Sequence, residues 1–218
     1  MENYEDIFVY KKLRERLVQG LRNKGITNNR VLEVIGTIPR QFFMPADLQN
    51  KAYEDRAFPI GEGQTISQPY TVAYQTQLLE VQPHHRILEI GTGSAYQAAI
   101  LALLASEVFS IERQKKLFEK NRQFLYIKSF SNLHLFYGDG YEGLPHYAPF
   151  DRILITAAAP FVPPKLVDQL KWGGKMVLPL GKESPQRMVR ITKLDNDQIS
   201  QESFSNFSFV PMLEGKKE

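Results

Sequence analysis

The stretch from Arg86 to Glu112, RILEIGTGSAYQAAILALLASEVFSIE, limits what this chain can fold into more than any other. Ile87, Leu88 and Ile90 form a short apolar run of the kind a buried strand shows. Gly91, Thr92, Gly93 and Ser94 follow as a glycine turn. Ala98 to Ala105 is rich in Ala and Leu, good helix formers. Val108 to Ile111 is a second apolar segment, ending at Glu112. Strand, turn, helix and strand make a βαβ unit. Two glycines let the backbone approach a ligand closely, and amides at the helix start can face its oxygen atoms. Glu112 closes the second strand as an exposed carboxylate that can accept from both hydroxyls of a ribose.

A dinucleotide fingerprint reads G-x-G-x-x-G, and its sixth position here is Tyr96. Glu89, ahead of the turn, puts a negative charge where a pyrophosphate would be repelled and a cationic group favoured. S-adenosylmethionine has a sulfonium, an ammonium and a ribose. The pattern Glu89-x-Gly91-x-Gly93 with the acidic Glu112 resembles class I methyltransferases. The competing reading is a bare βαβ crossover whose glycines serve tight packing.

With 218 residues there is room for one substantial domain. A helical subregion is expected up to about residue 55. The absence of cysteine excludes disulfides and thiolate metal sites and fits a reducing cytosol. A net charge of +3 is too small to imply nucleic-acid binding. The start, MENYEDIF, lacks a signal-peptide apolar core, and no apolar run approaches a membrane span.

Residues 7 to 24 read as a helix with Leu13, Leu17 and Leu21 on one face, stopped by Gly25. Asn28 or Asn29 can cap the next helix, which Pro39 ends. Arg40 to Pro45 reads as an apolar connector, with Phe42 and Phe43 in the core. A short helix around Leu48 to Tyr53 follows. Residues 53 to 71, YEDRAFPIGEGQTISQPYT, read as a long polar loop, a place where function concentrates. Helices are expected over about Tyr70 to Leu79, Arg113 to Ile127 and Lys165 to Leu170, the last stopped by Gly173 and Gly174. Strands are expected over Leu133 to Phe136, Phe150 to Ile155 and Met176 to Leu180. Met188 to Leu194 and Ile199 to Val210 read as an antiparallel pair turning at Asp195, Asn196 and Asp197. Asp139, between Gly138 and Gly140 at a strand end, can accept from an adenine amino group or simply make a turn. The alternation indicates an α/β fold, an open, doubly wound, mostly parallel Rossmann-like sheet with N-terminal helices and a late antiparallel hairpin.

AFPIGEGQTISQPYTVA, ILEIGTGSAYQAA, SIER at 110 to 113, YGDGYEGLP, QLKWGGKMVLPLG and FVPMLEGK together resemble the protein-L-isoaspartate O-methyltransferases over nearly the whole chain. The QTISQP loop is the specific element, since other class I methyltransferases lack it. Ala95 departs from the pattern, which usually has a third glycine there. The resemblance implies methyl transfer from S-adenosyl-L-methionine to the free carboxylate of an L-isoaspartyl residue. S-adenosyl-L-homocysteine is the other product, and the ester collapses to a succinimide that begins repair. It implies Ser67 as the active-site serine, orienting the carboxylate. Thr65, Ser67, Glu89, Gly91, Thr92, Gly93, Ser94, Glu112, Arg113, Asp139 and Gly140 are implied around the cofactor. Ile60, Gln64, Ser67 and Val210 are implied around the acceptor. The expected partners are isoaspartyl-containing proteins and peptides, with no metal, nucleic acid or membrane, for a cytoplasmic monomer. His84, His85, His134 and His146 lie outside the loop, so Ser67 has no partnered base and is not a triad nucleophile. The alternatives are a class I methyltransferase acting on RNA or a small molecule, a non-catalytic S-adenosylmethionine-binding module, and a nicotinamide-dependent oxidoreductase, against which Glu89 and Tyr96 argue.

Overall fold

Burial of the apolar strand runs sets the architecture. A computed structural model describes residues 8–195 and 198–218. The chain begins with α1 (Phe8–Asn23), whose Leu17 and Leu21 are buried. Gly25, at φ +93°, ends it: its amide donates to Arg22, and the Ile26 amide donates to Leu21. Asn28 caps α2 (Asn29–Thr37) by accepting from the Val31 amide. Two 3-10 segments follow, Arg40–Phe43 and Ala46–Lys51, the second lying where a short helix was expected.

The expected loop at 53–71 contains a small hairpin, β1 (Phe58–Gly61) and β2 (Gln64–Ile66). Gly61, Glu62 and Gly63 all take positive φ to close it. Phe58, Ile60 and Ile66 face the core. Strands of this length show too little alternation to stand out from turn residues. Next come α3 (Pro69–Leu79), β3 (Arg86–Ile90), α4 (Tyr96–Leu104) and β4 (Glu107–Glu112), the predicted βαβ unit. The helix expected over Arg113–Ile127 is two: α5 (Lys115–Gln123) and α6 (Leu125–Lys128). They part at Phe124, which has extended backbone and stacks edge-on against Phe43 at 5.3 Å.

β5 (Leu133–Tyr137) and β6 (Phe150–Ile155) fall as predicted. The last helix, α7 (Pro164–Asp168), is not stopped by Gly173 and Gly174. Those glycines lie inside β7 (Leu170–Leu180). The register jumps there, Phe150 pairing with Leu170 and Arg152 with Lys175. A Cβ on Gly174 would fall 2.7 Å from the Lys171 carbonyl oxygen, so the irregularity requires glycine. β8 (Gln186–Lys193) and β9 (Ile199–Phe207) form the expected antiparallel pair. Of the predicted turn between them, Asn196 and Asp197 lie outside the described residues.

The seven-stranded sheet runs β5-β4-β3-β6-β7-β8-β9, parallel from β5 to β7 and antiparallel thereafter. One core cluster unites α1, α2, α3 and α4 with one face of the sheet; a second lies on the opposite face with Leu166 of α7. Arg30 of α2 donates to the carbonyls of Val81 and Leu104, and Gln77 of α3 accepts from the Thr27 and Asn28 amides. These bonds pin the N-terminal helices to the α/β unit. No helix among the described residues is long and apolar enough to cross a membrane.

Candidate functional site

The winding reverses between β3 and β6, since β4 lies on one side of β3 and β6 on the other. Such a switch point opens a crevice beyond the strand ends. Here it is a cavity of about 610 Å³, within the size range of small-molecule sites. The β3–α4 turn, the end of β4, Gly140 and Thr156 form one side; the segment 64–68, α3 and residues 206–213 form the other.

The glycine turn is shaped by backbone demands. Gly91 has φ +95°, and a Cβ there would sit 2.6 Å from Thr156 Oγ1. That hydroxyl donates to the carbonyls of Ile90 and Gly91, holding β6 against the turn. Gly93 is also left-handed, and its amide donates to Glu112 Oε2 at 2.8 Å. Glu112 Oε1 accepts from the Gln114 amide at 2.8 Å. A carboxylate offers about four lone-pair sites, so Glu112 keeps acceptor capacity beyond its backbone amides. Glu112 is only 4% exposed, which corrects the expectation of an exposed carboxylate. Burial raises its pKa, opposed by the amides of Gln114, Gly93 and Arg113.

Glu89 departs further from expectation. It is fully buried in β3 and absent from the cavity wall. It reaches the cavity through hydroxyls: Ser110 donates to its Oε2, and Ser110 and Thr92 share a 2.6 Å hydrogen bond. Its Oε1 has no partner among the described residues. Burial pushes its pKa up to about 8, so a carboxyl group, rather than the expected negative charge, stands behind the turn at neutral pH.

Eleven of the fourteen predicted site residues line the cavity. On the turn side these are Gly91, Thr92, Gly93, Ser94, Glu112, Arg113 and Gly140. On the opposite side they are Gln64, Thr65, Ser67 and Val210. Ile60, Glu89 and Asp139 do not line it. Ile60 packs behind the turn, its Cδ1 lying 3.7 Å from where a Gly93 Cβ would be. Asp139 accepts from the amides of Tyr141 and Gly215 and so ties β5 to the segment 209–217 that crosses the cavity. Arg113 donates to the carbonyls of Glu214 and Gly215, fastening the same segment.

The Ser67 hydroxyl makes no hydrogen bond to protein among the described residues. The cap position of α3 is Gln68, without a side-chain cap bond, so Ser67 is not a capping serine. Thr156, which the sequence reading places among small residues beside the cofactor, lies in the wall; sequence reasoning overlooked Gln75 and Asp55, also in the wall. Asp55 accepts from the Tyr70 amide and from Lys24 Nζ, tying α1 to the loop. It also overlooked Arg40, whose only signal was a charge inside an otherwise apolar segment. No group of three or more His, Cys, Asp or Glu among the described residues is arranged to hold a metal.

The model of the family Protein-L-isoaspartate(D-aspartate) O-methyltransferase matches residues 11–217. A protein-L-isoaspartate O-methyltransferase of Flavobacterium psychrophilum is 51% identical over 207 residues, covering 95% of this chain and 97% of that one. That of Cytophaga hutchinsonii is 48% identical over 209 residues, covering 96% and 94%. A solved protein-L-isoaspartate O-methyltransferase aligns with a TM-score of 0.82 at 27% identity, over 91% of this chain and 65% of its own length. A Plasmodium falciparum structure, described as a protein-L-isoaspartate O-methyltransferase in complex with S-adenosyl-L-homocysteine, aligns at 0.79 over 92% and 98%. At 24% identity that likeness is one of fold. A family model spanning nearly the whole chain, and relatives about half identical along their full lengths, show that this chain belongs to the protein-L-isoaspartate O-methyltransferase family.

Proposed function

We propose that Ser67 aims the acceptor carboxylate in this enzyme's reaction. The chain is an S-adenosylmethionine-dependent carboxyl O-methyltransferase acting on the free carboxylate of L-isoaspartyl residues in damaged proteins and peptides. The cavity fits the cofactor: its volume suits a ligand of that size, its glycine turn lacks Cβ atoms at Gly91 and Gly93, and Glu112 has lone pairs to spare. When bound, S-adenosylmethionine supplies an electrophilic methyl group on a sulfonium. Glu112 would accept from the ribose hydroxyls, and Gly91, Thr92, Gly93 and Ser94 would flank the amino-acid end. Gly140 leaves room at the adenine end, where Asp139 acts through the backbone it holds. Glu89 would sense the cationic end through Ser110 and Thr92.

A carboxylate acceptor is already ionised near neutral pH, so the protein needs no strong base. What remains is alignment, the kind of effect a positioned donor supplies. Gln64, Ser67 and Val210 border the acceptor side of the cavity, with Ile60 supporting the turn from behind. The observation that carries the reading is Ser67 in the cavity wall, its hydroxyl without a protein partner among the described residues and without a capping role. We place the enzyme in the cytosol as a monomer of one catalytic unit, residues 1–218, with a helical subregion to about residue 55. The absence of cysteine fits a reducing compartment, and the modest charge gives no basis for a nucleic-acid partner.

Ser67→Ala tests the role. The expected result is an unchanged melting temperature, cofactor affinity within several-fold of the parent, and kcat on an isoaspartyl peptide lower by roughly 10². That is the low end for a lost transition-state donor, since the attacking carboxylate gives up charge as it reacts. A variant with parental turnover overturns the assignment.

A further inference from the structure

Arg40 is wholly buried on the 3-10 turn Arg40–Phe43. Interior arginines usually pair with a carboxylate, but the groups closest to this one are neutral. Its Nε donates to the Ala52 carbonyl at 2.9 Å and its Nη2 to the Ser67 carbonyl at 2.9 Å. Its guanidinium lies 4.8 Å from the centre of the Tyr96 ring. Tyr96 opens α4 immediately after the cofactor turn, and Ser67 follows β2 on the acceptor side. One rigid, planar cation therefore spans both halves of the cavity from behind. Tyr96 in turn packs edge-on against Phe43, at 5.3 Å, so the ring under the guanidinium is itself fixed.

We infer that Arg40 is a positioning residue, which locks the Ser67 backbone against the cofactor turn and so sets where the Ser67 hydroxyl points. The inference rests on the role given to Ser67 above. Fixing the carbonyl fixes the peptide plane that follows Ser67, and with it the direction of the Cα–Cβ bond. Lysine would keep the charge but lose the fork that reaches two carbonyls at once. A displacement of about 1 Å in a reacting group can cost roughly 10²-fold in rate. A role in folding alone would lower stability and leave turnover of the folded fraction unchanged.

The test compares Arg40→Lys, Ser67→Ala and the double variant. For each it measures melting temperature, the dissociation constant of S-adenosylhomocysteine, and kcat on an isoaspartyl peptide well below the melting temperature. Arg40→Lys is expected to bind S-adenosylhomocysteine within about threefold of the parent and to lose roughly 10-fold or more in kcat. The double variant is expected to turn over like Ser67→Ala alone, because Arg40 acts through Ser67. Parental kcat in a folded Arg40→Lys overturns the inference, and so does a double loss equal to the product of the single losses. Parental turnover in Ser67→Ala overturns the reading of Ser67 and this inference with it, whereas a low kcat in Ser67→Ala beside a parental kcat in Arg40→Lys overturns the inference alone. If Arg40→Lys does not fold, Tyr96→Leu decides. It removes the ring under the guanidinium, and a loss of kcat at saturating cofactor supports the inference while parental kcat overturns it.

Discussion

Replacing Glu89 by Gln should make the protein more stable as pH rises relative to the parent. In the native state burial holds Glu89 near pKa 8 against 4.5 for the free group. The folded chain therefore keeps a proton that the unfolded chain releases. The stability tied to this group is fully present below pH 4.5 and is lost as pH climbs toward about 8. Each unit in that window is worth about 1.4 kcal/mol. Between pH 5 and pH 8 the parent should lose about 4 kcal/mol from this group alone. Glutamine resembles the protonated acid in shape, can still pair with Ser110, and has no such loss. Every other titrating group is common to both proteins and drops out of the difference. Melting curves across that range should show the variant gaining about 10 °C on the parent, at 2–4 °C per kcal/mol for a chain of this size. Parallel curves would refute the argument, because they would mean that Glu89 is as ionised in the folded chain as in the unfolded one.

Further outcomes follow from the same corner of the molecule. Glu112→Gln should weaken S-adenosylhomocysteine binding about tenfold by calorimetry, the loss of one charge-assisted bond. Glu112→Ala should also lower the melting temperature, because it strips an acceptor from the Gly93 and Gln114 amides. Gly91→Ala should cost about 2–3 kcal/mol, from the left-handed backbone and the displaced Thr156 hydroxyl. Thermal melts should show Thr156→Ala restoring part of that loss in the double variant.

The central sheet was legible because buried parallel strands carry their apolar residues in near-continuous runs, as at Ile153–Ile155 and, with Glu89 the one interruption, at Ile87–Ile90. Gly25 and Asn28 were legible because helix ends have local chemistry. What escaped depends on partners distant in the chain. Nothing near Asp139 announces that its carboxylate accepts from Gly215, and nothing near Arg40 shows the carbonyls of Ala52 and Ser67. The short hairpin at 58–66 was hidden by its own turn residues. Glu112 was read as exposed and Glu89 as charged, and both are buried, since the side chains that enclose them belong to neighbouring strands and turns.

Gly91 and Ala95 make the same backbone demand, with φ +95° and +67°, yet only one of them is a glycine. The difference is the neighbour. At Gly91 a methyl group would strike Thr156, whereas the Ala95 methyl sits wholly buried at the start of α4. The left-handed conformation costs an alanine about 1–2 kcal/mol. A less flexible unfolded chain returns about 0.4–1 kcal/mol, and burial of one methyl about 0.8 kcal/mol. The substitution is close to neutral, so drift can erase that letter of the glycine signature without touching the pocket. A pattern search that weights the three glycines equally will underscore functional members such as this one. Weighting each by the space around its missing side chain would retain them.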